Sequence, residues 1–492
     1  MRAWMRVGDK SGMAIVEQNA PGRGEGLLDD DRLFPADSRT RAVARGLYAH
    51  VRDLPIISPH GHTDPRWYAE NEAFPDPAQL FVVPDHYVFR MLFSQGVKLE
   101  DLGVPTLDGT PVETDSRKIW RRFAENYYLF RGTPTRIWLD HAFSTLFDID
   151  VGLSSKTADF YYERIAERLA QPDYRPRALF ERFNIEVIAT TEGPLDDLRW
   201  HEKIAESGWK GRVVTAYRPD TVIDPEFQDF RENVERFGEI SGAEIGNFAG
   251  YLDAHRIRRG FFKSHGATAT DHGHATARTE NLDRGEAERL YQKALKGIVS
   301  AEEADVFRGH MLTEMARMSL DDGLVMQIHP GSWRNHSQSI FTRFGRDKGF
   351  DIPMRTDYVR ALKPMLDAVG TEPGLSVILF TLDETAYSRE LAPLAGVYPS
   401  LKLGPAWWFF DSAEGMRRFR ELTTETAGFY NTVGFNDDTR AFCSIPARHD
   451  VARRVDCAYL AQLVVTGRLR EDEAHEVAHD LTYRLVKEAY RL

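Results

Sequence analysis

Eight short apolar runs recur along the chain with helix-patterned segments between them, and this alternation constrains the fold more than any other feature of the sequence. The runs are LPIIS from Leu54, IEVIATT from Ile185, GRVVTAY from Gly211, GFFKSHG from Gly260, GLVMQIHP from Gly323, LSVILFTLD from Leu375, LKLGPAWWF from Leu401 and YNTVGFNDD from Tyr430. Most are brief and β-branched, as strands buried on both faces of a parallel sheet must be. The segments between them, such as LDDLRWHEKIAESG, EFQDFRENVERFGEI, RGHMLTEMARMSLDDG and AEGMRRFRELTTETAG, repeat apolar residues at helical spacing. Eight strands alternating with helices predict an α/β fold of the (β/α)8 TIM-barrel type. The rival, a doubly wound open sheet, would place GxGxxG after the first run or GxxxxGK[ST] elsewhere, and neither is present.

A barrel spread over 492 residues must carry insertions. The long one runs from Pro65 to Asn184, far beyond an ordinary βα connection. It holds helical pieces such as DHYVFRMLFSQGV, SRKIWRRFAENYYLF and ADFYYERIAERLA. The expected organisation is therefore a flexible N-terminal tail over 1–26, a barrel start over 27–64, a helical insertion subdomain over 65–184, and the rest of the barrel over 185–492. Two extra C-terminal helices, HDVARRVDCAYLAQLVVTGRL and EDEAHEVAHDLTYRLVKEAYRL, close the chain.

Several function classes are disfavoured by charge and composition. With 63 Lys+Arg against 75 Asp+Glu the net charge is -12, which repels nucleic acid and anionic lipid. No apolar run approaches the length of a membrane span, and no secretory signal is visible. Cys443 and Cys457 are the two cysteines, too few for a disulfide framework, which fits a cytoplasmic protein. A homo-oligomer stays open.

In a barrel the C-terminal ends of the strands converge on one pocket, so polar residues just after each run are the candidates for chemistry. After the first run, PHGHTDP sets His60 and His62 two apart, a spacing that points both imidazoles to one side of an extended backbone. Such a pair suits a divalent metal, although hydrogen-bonded surface histidines would read the same way. The eighth run ends in FNDDTR and closes beside the first. Of its two aspartates, Asp438 shares a face with Arg440 and Asp437 points away, so Asp438 is the expected third ligand; plain helix capping is the bland alternative. Further strand-end candidates are Arg218, Asp271, His329, Arg334 and Trp407. Several arginines at one mouth of an acidic protein imply an anionic ligand, and without a phosphate loop a carboxylate fits best. Trp407 could stack on a sugar face or simply fill the core. Lys263, beside His265 in the fourth run, would instead suit a binuclear hydrolase with a carboxylated lysine.

PIISPHGHTDP, DHYVFR, TTEGPLDDL, YRPD, TDHG, MQIHPGSWRN, GPAWWF and DDTR, in this order and with a long insertion after the HxH, resemble the uronate isomerase (glucuronate isomerase) family of the amidohydrolase superfamily. The resemblance runs from about Leu27 to the C-terminus. It implies interconversion of D-glucuronate with D-fructuronate and of D-galacturonate with D-tagaturonate, with one divalent metal ion, commonly Zn2+. It implies metal ligation by His60, His62 and Asp438. Substrate contacts would come from Arg218, Asp271, His329, Arg334, Trp407 and Arg440, with His86 and Tyr87 entering from the insertion. By the same resemblance, the substrate's carboxylate and C5 hydroxyl chelate the metal, and Asp438 with that hydroxyl begins proton abstraction. Tyr87 shuttles a proton between O1 and O2, while Arg440 and His86 offset the developing charge. The family pattern is broken at Ser58 and Pro59 before the HxH, at His336, and at the TTEGP turn. Two other classes remain: a metal-dependent hydrolase of a sugar-acid lactone or amide, and a noncatalytic sugar-acid binding protein.

Overall fold

The computed structural model describes residues 26–492, so the tail expected over 1–26 lies, apart from Gly26, outside the described residues. Seven parallel strands wind in chain order: β1 (Ile56–Ser58), β2 (Ile185–Glu192), β3 (Arg212–Tyr217), β4 (Ala269–His272), β5 (Val325–Ile328), β8 (Val377–Leu379) and β9 (Leu401–Leu403). Between β5 and β8 a separate antiparallel ribbon pairs β6 (Ser332–Trp333) with β7 (Ile352–Pro353).

Side chains alternate across the curled sheet with the period of two that strand geometry requires. Ile57, Val187, Ala189, Val214, Ala269, Val325 and Ile378 form an inner cluster, joined from the C-terminal helix by Val486 and Tyr490. Their neighbours point outward under the helices: Ile56 and Ile188 to one cluster, Met326, Ile328, Val377 and Leu379 to another. Every element between β1 and β2 is helical, and its apolar side chains share one core with Ile56, Ile185 and Ile188. The closing helices are Ile445–Val465 and Glu471–His479; a π turn then leads into Leu485–Tyr490.

Two expected strands differ. GFFKSHG is the end of a helix, Phe248–Ser264, capped by the Asn247 side chain, which accepts from Gly250 N. Phe248, Tyr251, His255, Arg258 and Phe262 lie along its buried stripe, so Phe262 belongs to a helical period rather than a strand. The fourth strand is instead ATDH, small and polar yet wholly buried. Lys263 accordingly lies on this helix and donates through Nζ to the Asp322 carbonyl, just before the start of β5 rather than at its cavity end, which removes the ground for a carboxylated-lysine centre. The eighth run forms a single parallel bridge, Thr432 to Leu403, rather than a strand. Gly434, at φ +76, breaks the extended backbone there, and a Cβ on it would meet the Leu481 carbonyl. The run still returns to the start of the sheet, because His62 N donates to Thr439 O at 3.0 Å.

Candidate active site

At the pole where the parallel strands end lies a cavity of about 340 Å3. It brings together His60, His62, His86, Tyr87, Arg218, Asp271, His329, Arg334, Trp407, Asp438 and Arg440, which come from the parallel strands and the chain just after them, the ribbon, the irregular eighth run and the insertion. Lys263 and His265 are elsewhere; His265 faces Glu202 at 3.1 Å.

His60 and His62 follow β1 in irregular chain that bends at His60, and Gly61 between them is pressed so close that a Cβ would stand 3.3 Å from Thr439 O. Asp438 adopts a left-handed backbone, φ +38, which is rare for a non-glycine residue and aims its carboxylate inward. Trp407 Nε1 donates to Asp438 Oδ2. The other oxygen, Oδ1, lies 3.4 Å from His60 Nε2 and 3.1 Å from His62 Nε2, yet is buried without a hydrogen bond. Two imidazole nitrogens and an orphaned carboxylate oxygen converging on one point make a candidate donor set for a divalent cation. Burial works against the charged forms here, but the two imidazoles hold the Asp438 carboxyl well below its ordinary range. Burial also opposes charge on His60, and the Asp438 carboxylate outweighs it and raises the imidazole. Asp437 faces away from this point and accepts from His449 Nε2 at 3.0 Å.

A second line of polar groups crosses the strand ends. Asp271, expected after the fourth strand, sits within β4, where its Oδ1 accepts from His329 Nδ1 at 2.7 Å and its Oδ2 pairs with Arg218 at 3.0 Å. Burial would raise the Asp271 carboxyl, but Arg218 and His329 hold it far below its usual range. Donation from Nδ1 to a carboxylate leaves His329 Nε2 as the lone-pair acceptor, and that atom is buried without a partner. The His329 ring stacks on His60 at 4.8 Å and on Phe380 at 3.9 Å.

From the insertion, the helix His86–Ser94 points its first turn at the cavity because Asp85 caps it, accepting from Tyr87 N at 2.8 Å. Burial, with Arg440 and Arg90 nearby, pushes the His86 imidazole down to about 3, so it enters as a neutral ring rather than a cation. Burial likewise pushes the Tyr87 phenol upward. Trp138 packs edge-on against its ring at 5.7 Å, and the Arg448 guanidinium lies over the ring at 5.5 Å. Arg334 comes from the ribbon, 4.9 Å over the Trp408 ring and 3.5 Å from Asp351.

Residues not expected from sequence also line the cavity, among them Asp220, Trp408, Asn335, Asp347 and Asp351. Asp220 was within reach, since it follows Arg218 by two in YRPD and pairs with it at 2.8 Å. Asp347 and Asn335 have left-handed backbones in irregular loops, where no periodicity marks them. Asn335, not the exposed His336, faces the cavity.

The fold and site thus define a strand-end pocket that joins a candidate three-donor cation site to several guanidinium groups. A glucuronate isomerase family model matches residues 36–490, and the chain belongs to this family. A uronate isomerase of Rhizobium meliloti (strain 1021) is 72% identical over 95% of this chain and 100% of its own length. The crystal structure of glucuronate isomerase from Caulobacter crescentus superposes with a TM-score of 0.93 at 60% identity, covering 95% of this chain and 97% of that one. A uronate isomerase from Thermotoga maritima gives 0.87 at 26% identity, covering 94% and 99%.

Proposed function

We propose that the chain is an aldose–ketose isomerase of hexuronates, interconverting D-glucuronate with D-fructuronate and D-galacturonate with D-tagaturonate through a cis-enediol. The observation that carries the reading is the orphaned Asp438 Oδ1 between His60 Nε2 and His62 Nε2, in the same cavity as Arg218, Arg334 and Arg440. Imidazole and carboxylate donors suit Zn2+. When bound, such a cation supplies Lewis-acid polarisation of the oxygens it touches.

The chain's own groups divide the remaining work. Arg334 and Arg218 offer guanidinium donors to the substrate carboxylate and hydroxyls. Trp407 holds Asp438 by its indole N–H and presents its ring to the sugar. Asp271 orients His329 so that Nε2 accepts from a hydroxyl. Asp438, kept ionised by its neighbours, stands ready to take a proton. Tyr87 carries a proton between O1 and O2, Arg440 offsets the charge of the enediolate, and His86 donates to it as a neutral ring.

We read the architecture as a (β/α)8 barrel whose eighth strand is reduced to an irregular run, with a helical insertion over 65–184 and closing helices. The buried free thiols of Cys443 and Cys457 fit a cytoplasmic setting. Among the described residues no helix is long and apolar enough to cross a membrane. The test is an assay of purified protein with D-glucuronate and D-galacturonate before and after chelation. Turnover should vanish on chelation and return with Zn2+; turnover of neither substrate, or turnover indifferent to chelation, overturns the reading.

A further inference from the structure

Two buried histidines at the end of β4 each keep a ring nitrogen without a partner, beside the buried Asp220 carboxylate that follows β3. Asp220, His272 and His274 bring a carboxylate oxygen and one ring nitrogen each to within 4.8 Å of one another. His272 is fully buried and His274 nearly so, and neither lines the cavity described above. His272 Nε2 meets Thr270 Oγ1 at 3.1 Å, but its Nδ1 has no hydrogen-bond partner. His274 Nε2 is also unpartnered, 3.9 Å from Asp220 Oδ1 and too far for a hydrogen bond. An unsatisfied buried polar atom keeps the full cost of its lost hydration. Two such nitrogens beside one carboxylate therefore need a physical reason.

The local charge balance supplies one. Arg218 is shared between Asp220 and Asp271, and Arg308 among Asp224, Glu226 and Asp305. Each guanidinium thus serves two or more carboxylates, leaving an excess of negative charge around two imidazoles. Burial holds both rings below their ordinary value, and a neutral imidazole offers one ring nitrogen as a lone-pair donor. Asp220 keeps capacity as well. Gly273 N donates to both of its oxygens and Arg218 Nε to Oδ2, which leaves a lone pair on Oδ1.

We propose that Asp220, His272 and His274 form a second divalent-cation site, separate from the His60–His62–Asp438 centre and selective for zinc-class metals that accept imidazole with carboxylate. Its role is positioning. A cation there ties the loop after β3 to the end of β4 and, through Asp220 Oδ2, fixes Arg218 at the mouth of the cavity.

The experiment is metal counting on full-length protein stripped by chelator, reloaded with Zn2+ and freed of excess ion. The parent should hold two equivalents per chain, the His60→Ala/His62→Ala variant one, and the His272→Gln/His274→Gln variant one. Anomalous scattering at the zinc edge from crystals of the parent should give a peak among Asp220, His272 and His274, a readout that survives if a variant fails to fold. One equivalent in the parent, with no anomalous peak at Asp220, overturns the proposal. So do two equivalents persisting in the His272→Gln/His274→Gln variant. Failure of the primary centre would register separately, as an undiminished count in the His60→Ala/His62→Ala variant.

Discussion

His60, His62, Arg218, Arg334 and Tyr87 share one cavity, but each should fail in its own way when altered. Removing an imidazole leaves Asp438 Oδ1 facing a single nitrogen, so His60→Ala or His62→Ala should lower bound metal per chain, measured by elemental analysis; unchanged metal content would dissolve the triad. Arg334→Met and Arg218→Met spare the triad and remove charge-assisted donors, a loss of roughly 2 to 5 kcal/mol in the bound state, or about 30-fold or more in kcat/KM. Steady-state kinetics with both substrates unchanged in both variants would show that neither guanidinium reads the carboxylate. Tyr87→Phe keeps the ring against Trp138 and Arg448 and deletes the hydroxyl. Turnover should fall by roughly 10² while metal content and thermal stability hold. A fall in stability with turnover per folded molecule preserved would instead make Tyr87 a packing residue.

The elements explain how these side chains reach the cavity, and also which of them could be read from sequence. Asp85 starts the His86–Ser94 helix, so Asp85→Ala should cost about 1 kcal/mol in chemical denaturation and lower turnover, while Asp85→Asn, which caps as well, should recover most of both. Equal unfolding midpoints and rates for all three proteins would mean that packing alone aims Tyr87. The runs at β2, β3 and β5 are legible because they are short, mostly buried and β-branched, and PHGHTDP is legible from its two-residue spacing; DDTR presents Asp438 to the cavity through a left-handed backbone that no period marks. ATDH is not legible, since the centre of the sheet there takes Ala269 and uses Thr270, Asp271 and His272 for polar contacts. A neighbouring helix with Phe261 and Phe262 in its last turn supplies a stronger apolar signal than the strand itself. The β6–β7 ribbon, two residues a side, is too short for any period, although it carries Arg334 toward the cavity.

At the scale of the whole molecule, parallel winding gathers ionisable groups at one pole, and they pull stability against pH in opposite directions. Asp271 is held far below its ordinary value, so its contribution is present above about pH 4 and is lost as pH falls toward its folded value. Glu192, at the end of β2 in the TTEGP turn, is the opposite case. Burial pushes its carboxyl up to about 8, against hydrogen bonds from Thr215 and Thr190 that favour ionisation. Between its ordinary value of 4.5 and about 8 the folded chain holds a proton there that the unfolded chain has released. This residue therefore makes the protein less stable as pH rises through that window, by up to about 1.4 kcal/mol per unit. Glu192→Gln retains a polar partner for Thr215 and cannot ionise, so it should flatten this part of the profile and gain on the parent progressively from pH 5 to 8. Urea denaturation at a series of pH values measures the difference directly. If parent and variant run parallel across that range, Glu192 is ionised in the folded protein, and the TTEGP turn holds a carboxylate where the structure's burial calls for a neutral acid.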